Sequence, residues 1–182
     1  MNGILIAVAN GSEDIETVTV VDVLRRAGLP VTLASIHRQL RVTCSRGTVI
    51  EADATLDQCL AQDWDCIVLP GGLPGAEHLR DSAALTTLLR RQHDSGRWLA
   101  AICAAPALVL ASHGLLDDYR ATCHPGFVDQ LHGARYSEER VCTDRHLVTS
   151  QGPGTALEFA LQLVALLAGP EKRQQVAAPM VL

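Results

Sequence analysis

Cys103 stands between two apolar runs, Trp98-Leu99-Ala100-Ala101-Ile102 before it and Ala104-Ala105-Pro106-Ala107-Leu108-Val109-Leu110 after it. The first run has the length and flanks of a buried strand, and the second predicts the opening turns of a helix. A residue at such a junction, followed only by small side chains, occupies a nucleophile elbow, where a sharp turn lifts its side chain above the sheet. A thiol there faces the positive end of the next helix, which favours thiolate. The alternative is the small buried hydrophobe that most free cysteines are.

Ionising a thiol of ordinary pKa about 8.5 at neutral pH requires a fall of about 3 units, more than a helix end alone supplies. A proton donor is therefore required, and Glu16 is the candidate. In a helix beginning near Ile15 it shares a face with Val20, Val23 and Ala27. A carboxyl on an apolar stripe is desolvated and favours its protonated form, which donates a hydrogen bond to sulfur. The alternative is that Glu16 only complements the helix dipole, the role read for Glu13 and Asp14.

His124, in Thr122-Cys123-His124-Pro125-Gly126, follows a short strand and precedes a turn, where a histidine is placed to serve a pocket as general acid or base. It also reads as an ordinary loop histidine, as the other six do. Pro70-Gly71-Gly72 brings backbone N–H groups close to a substrate oxygen, so Gly71, Gly72 and the N–H of Ala104 are expected to form an oxyanion hole. A tight loop needing unusual dihedrals is a compatible reading. Among the other cysteines Cys44 draws interest, because it sits beside Ser45-Arg46 in an expected exposed hairpin.

Short apolar runs alternating with helical patterns must position these groups. Strands are expected at Ile4–Ala9, Val31–Ile36, Cys66–Leu69, Trp98–Ile102 and Leu147–Ser150, with a hairpin over Leu40–Ile50. Helices are expected at Ile15–Ala27, Ser82–His93 and Thr155–Leu167. The alternation predicts an α/β fold, a mostly parallel sheet with helices on both faces. Ligands bind beyond the carboxyl ends of such strands. Four loops leave those ends and should converge: Asn10–Ile15, Pro70–Gly75, the Cys103 elbow and Gln151–Gly154. With no repeat or linker, residues 1–182 read as one domain.

A hydrophobic fraction of 48% with only 3% aromatic residues requires a core of Val, Leu, Ile and Ala, as parallel sheets have. A net charge of −5 and no basic stripe give no footprint for nucleic acid. Six cysteines without a C-x-x-C give no zinc ribbon or redox dithiol, and Cys123-His124 alone make no metal site. Gln151-Gly152-Pro153-Gly154 matches no nucleotide-binding pattern. No metal or cofactor is expected. The first residues lack the flanks of a signal peptide and no run spans a bilayer, so a cytoplasmic, reducing location is expected.

At these residues the sequence resembles the ThiJ/PfpI superfamily, in its parkinsonism-associated deglycase branch with bacterial ThiJ-like members. The likeness rests on Glu13-Asp14-Ile15-Glu16-Thr17-Val18, Arg25-Arg26-Ala27-Gly28, Val42-Thr43-Cys44-Ser45-Arg46, Leu69-Pro70-Gly71-Gly72, Ala100-Ala101-Ile102-Cys103-Ala104-Ala105-Pro106, Thr122-Cys123-His124-Pro125, Thr149-Ser150-Gln151-Gly152-Pro153-Gly154-Thr155 and Ala178-Pro179-Met180-Val181-Leu182. It implies a flavodoxin-like three-layer sandwich and a homodimer, with Cys103 as nucleophile, Glu16 as its acid partner, His124 in the pocket, and Gly71, Gly72 and Ala104 as amide donors. It further implies glutathione-independent glyoxalase chemistry on methylglyoxal or glyoxal, deglycation of early adducts on proteins or nucleotides, or a non-enzymatic role as redox sensor or redox-regulated chaperone through oxidation of Cys103. The protease branch places a histidine directly after the nucleophile. Ala104 stands there, so that dyad is missing. Ala105 replaces a frequent Gly, and Gln151 an Arg common in animal members.

Overall fold

The computed structural model describes residues 2–182. The chain runs β1 (Ile4–Val8), α1 (Asp14–Arg26), β2 (Val31–Ser35), β3 (Arg41–Thr43), β4 (Val49–Glu51), β5 (Ala54–Thr55), α2 (Leu56–Cys59), β6 (Cys66–Leu69), α3 (Gly75–Asp81), α4 (Ala83–Asp94) and β7 (Trp98–Ile102). It continues through β8 (Arg120–Ala121), β9 (Arg135–Tyr136), β10 (Val141–Asp144), β11 (Leu147–Ser150), α5 (Ala156–Ala168) and α6 (Pro170–Ala177). The main sheet has seven strands in the order β10-β11-β7-β6-β1-β2-β5. Every pairing in it is parallel except β10 with β11, whose hairpin turn closes at Arg145.

All five residues of β1 and all four of β6 and β11 are buried, the signature of strands covered on both faces. On one face α1 packs on α5; on the other, α3 and α4 pack together with the turns that follow Cys103. The expected α/β sandwich is therefore the observed fold. Helix α1 shows why its sequence folds locally. The Glu13 side chain caps it by accepting from the Glu16 N–H at 2.8 Å, so Glu13 does more than complement the dipole. Asp14 and Glu16 sit in its first turn and Arg25 and Arg26 in its last.

Four expectations need correction. The segment after Cys103 is not a regular α-helix. Pro106 lacks an N–H and the Ala111 N–H reaches back to the Pro106 carbonyl, a wide turn that tightens over 111–113 and stops at Gly114. Gly75–Asp81 forms a helix ahead of the expected one. Cys44 is buried, because β3 and β4 fold back over the loop after β1: Gly11 N–H donates to Thr43 O and Ser45 N–H to Ser12 O, both at 2.8 Å. The six histidines besides His124 are not all in loops, since His78 and His93 lie in α3 and α4. Among the described residues no helix is long and apolar enough to cross a membrane.

Candidate active site

Cys103 follows β7 directly, and its backbone has φ 66°, a left-handed conformation that a residue with a Cβ rarely adopts. Two bonds hold it there: its N–H donates to Ser150 O at 2.9 Å, and its carbonyl accepts from the His124 N–H at 2.8 Å. The elbow is thus tied on one side to the end of β11 and on the other to the loop carrying the pocket histidine. The residue is 9% exposed.

Glu16 is fully buried, on the same face of α1 as Thr17, Val20, Val23 and Leu24. Its Oε2 accepts from the Gly71 N–H at 2.7 Å, while Oε1 is buried without a conventional partner. Two side chains bear on its titration, the Cys103 thiol and Glu13. Burial raises the Glu16 carboxyl to about 7, offset by the hydrogen bonds from Gly71 and the thiol; Glu13 adds a smaller upward push. A buried carboxyl raised to about 7, with one oxygen outside the Gly71 bond, is where a proton would sit.

The thiol itself is pushed up to about 12, by burial first and by the Glu16 carboxylate second, while the amides of Gly72 and Ala104 pull it down. Burial therefore works against the ionisation that the helix end was expected to favour. The contribution from Glu16 depends on where the proton is. An ionised Glu16 repels a thiolate, whereas a protonated one donates to it, so the same contact changes sign. The two groups titrate as a pair.

The three amides expected to form an oxyanion hole separate into two roles. The Gly71 N–H is taken by Glu16, so it fixes the carboxyl and is not free for a substrate oxygen. The Gly72 and Ala104 N–H groups face the sulfur. Glycine at 71 is dictated by space: a Cβ there would lie 2.7 Å from the Cys103 Cβ and 3.0 Å from Glu16 Oε2. At Gly72, φ is +87° and a Cβ would stand 2.5 Å from the Glu13 nitrogen.

The cavity over the sulfur, of about 330 Å³, is lined by Glu13, Ser45, Arg46, Gly72, Leu73, Cys103, His124 and Pro153. All four loops expected to converge contribute to it. His124 is exposed on this cavity, and its Nδ1 accepts from the Gly126 N–H at 3.1 Å. A backbone N–H only donates, so in the neutral ring the proton sits on Nε2 and His124 is a donor. Leu73 and Pro153 come from two of those loops, whereas Ser45 and Arg46 were expected in an exposed hairpin and not at the site. Ser45 and Arg46 arrive through the packing of β3 and β4 on the loop after β1, aided by Asp14, which accepts from the Arg46 and Thr48 N–H groups at 2.8 and 3.2 Å. Among the described residues no group of three or more His, Cys, Asp or Glu side chains could hold a metal ion.

The model of the DJ-1/PfpI family matches residues 2–166. Protein DJ-1 homolog B of Arabidopsis thaliana is 44% identical over 180 residues, 98% of this chain; the chain spans 41% of that relative's length. The glutathione-independent glyoxalase DJR-1.2 of Caenorhabditis elegans is 38% identical over 173 residues, 94% of this chain and 91% of the relative. The solved structure of Toxoplasma gondii DJ-1 in its oxidized form superposes with a TM-score of 0.95 at 44% identity, covering 98% of this chain and 97% of that one. Similarity of this extent, across sequence and backbone alike, means that the chain belongs to the DJ-1/PfpI family.

Proposed function

We propose that this protein converts small 2-oxoaldehydes such as methylglyoxal and glyoxal into 2-hydroxy acids without glutathione, with Cys103 as nucleophile. The observation that carries the reading is a strained elbow thiol beside a fully buried carboxyl whose second oxygen has no other partner. The glyoxalase name of the Caenorhabditis elegans relative supports it.

The pair loses its first proton from Glu16, and transfer of the thiol proton to that carboxylate as the aldehyde is attacked puts the negative charge on sulfur, stabilised by the Gly72 and Ala104 amides. The thiolate attacks the aldehyde carbon, and the resulting alkoxide takes the Glu16 proton, giving a hemithioacetal. The Glu16 carboxylate then removes the hydrogen on that carbon, and the electron pair passes to the neighbouring ketone, whose oxygen His124 Nε2–H protonates. Returning the Glu16 proton to the second carbon, while the hydroxyl on the first carbon gives its proton back to His124 Nε2, gives a thioester in which the first carbon is oxidised and the second reduced. Water cleaves the thioester, releasing the 2-hydroxy acid and the thiolate. Hydrogen and electrons balance within the substrate, so no external oxidant or cofactor enters.

The same addition chemistry extends to early adducts of these aldehydes on protein or nucleotide amines, which is the deglycase reading. A homodimer belongs to the proposal, supported by the exposed Ile15 and Val18 of α1 and Leu157 of the adjacent α5. So does a cytoplasmic location, where thiols stay reduced. A second reading, oxidation of Cys103 to sulfinic acid as a redox signal or chaperone trigger, is favoured by the oxidized form of the Toxoplasma relative.

The test is to supply methylglyoxal in the absence of glutathione and measure lactate. Turnover by the native protein and none by Cys103→Ser supports the enzyme. Negligible native turnover, with selective sulfinate at Cys103 under mild peroxide, supports the sensor instead.

A further inference from the structure

We propose that His37 is a positioning residue, a proton-sensitive latch on the loop that joins β1 to the acid-bearing start of α1, working against His78 across the peptide of Asn10. The proposal rests on the reading of Glu16 as the acid partner of Cys103.

Asn10 is gripped from three sides. Its N–H donates to His37 Nε2 at 3.0 Å, its carbonyl meets His78 Nδ1 at 2.9 Å, and its Oδ1 accepts from the Thr43 N–H at 3.0 Å. The two imidazoles stand edge to face with ring centroids 6.0 Å apart. These bonds assign the tautomers. An amide N–H only donates, so His37 Nε2 is bare and its proton is on Nδ1; a carbonyl only accepts, so His78 donates from Nδ1. His37 is therefore bonded to Asn10 only while neutral. A proton added to Nε2 would confront the Asn10 N–H with another donor and break the bond.

What Asn10 anchors is the wall of the pocket. Gly11 N–H donates to Thr43 O, Ser12 Oγ accepts from the Ala9 N–H, and Glu13 N–H donates to Gly71 O at 2.9 Å. Glu13 in turn caps the turn that holds Glu16, and Gly71 holds Glu16 Oε2. Without His37, Asn10 keeps the bonds to His78 and Thr43 but loses one of its three anchors, so the loop and, through it, the Glu16 carboxyl are held less firmly.

Partial burial and the charge of His78 lower the His37 pKa from its ordinary 6.5, so at neutral pH the latch is closed. His78, on α3, is the one titratable group among the described residues that bears on His37. Asp81, on the same helix, is held low by its bond with Arg80; Arg38, next to His37 in the chain, is exposed.

The experiment compares the native protein with His37→Gln, whose side-chain oxygen still accepts from Asn10 but does not titrate. Hydrogen exchange gives the protection of the Asn10 amide between pH 7.5 and 5, each rate corrected for the exchange of a free amide at that pH. Native protection should fall about fivefold on acidification, the worth of one surface hydrogen bond, and His37→Gln should hold it constant. Iodoacetamide labelling of Cys103 is followed alongside. The native rate should fall more steeply than that of His37→Gln below the region where the Glu16–Cys103 pair titrates. Unchanged native protection overturns the latch, and superimposable labelling curves overturn its coupling to the site. Both readouts are independent of aldehyde turnover, so failure of the proposed activity is seen separately.

Discussion

Cys66 and Cys103 lie at opposite ends of neighbouring strands, β6 and β7, and both are buried. Burial pushes both thiols up, as it does at Cys44 and Cys123, which rise to about 11. Cys66 has nothing to oppose that push: its second influence, Asp65, raises it further. Cys103 has the Gly72 and Ala104 amides on its sulfur and a carboxyl that can hold the shared proton. A buried thiol is therefore inert by default in this fold. What separates the two is the end of the strand they occupy, because only the carboxyl ends receive α1, the Gly71–Gly72 turn and the His124 loop.

Cys103→Ser should break the comparison most completely. Its hydroxyl is not ionised by a carboxyl of pKa about 7, so lactate formation should fall at least about 10³-fold, to background. Full turnover by this variant would remove the elbow from the mechanism.

Glu16→Gln comes next, with an expected loss of about 10²-fold in kcat, since the amide cannot give and retake a proton. Its stability signature is sharper. The Glu16 carboxyl rises from 4.5 to about 7 on folding, so the folded state holds the proton more tightly than the unfolded chain. The stability this brings is present below pH 4.5 and is lost as pH rises through 7. Glutamine never ionises. Glu16→Gln should therefore match the native protein in thermal melts near pH 4 and exceed it by about 3 kcal/mol at pH 8. For the same reason native turnover should fall as pH drops through about 7, when a second proton joins the pair. A variant less stable than native at pH 8 would mean that Glu16 is not a strained acid.

His124→Ala should cost about tenfold in kcat, because it removes a donor at the ketone oxygen and leaves the nucleophile in place. Labelling of Cys103 should keep its native pH dependence. A shifted labelling curve would place His124 on the sulfur instead of on the substrate.

The elbow and the acid were legible because each depends on local pattern. Apolar runs broken at Cys103 mark a strand and a turn, and a carboxyl at helical spacing from Val20 and Val23 marks a buried acid. The sheet was legible for the same reason. Long-range packing was not. Cys44 and Ser45 lie in a short hairpin whose sequence looks exposed, and its burial comes from the bonds of Thr43 and Ser45 to residues 11 and 12. Nothing local shows that the Gly71 amide is spent on Glu16, 55 residues away in the chain. The turns after Cys103 misled because an Ala-Leu-Val run reads as helix, while Pro106 decides which carbonyl Ala111 reaches. The strands β5, β9 and β10 were missed: β5 and β9 are two residues long, too short for any alternation to register, and β10, Val141-Cys142-Thr143-Asp144, carries no apolar run.

The smallest expected effect completes the comparison from its other side. Cys66→Ala removes a thiol that is fully buried and raised by burial and by Asp65. The loss of its packing should lower stability by about 1–2 kcal/mol, seen as a reduced denaturation midpoint. Turnover and the labelling of Cys103 should stay at native values, because β6 reaches the site through Gly71 and Gly72 at its far end. If Cys66→Ala instead slowed labelling of Cys103 without unfolding the protein, reactivity would depend on the strand as a whole, and the contrast between its two ends would no longer explain why one thiol is reactive.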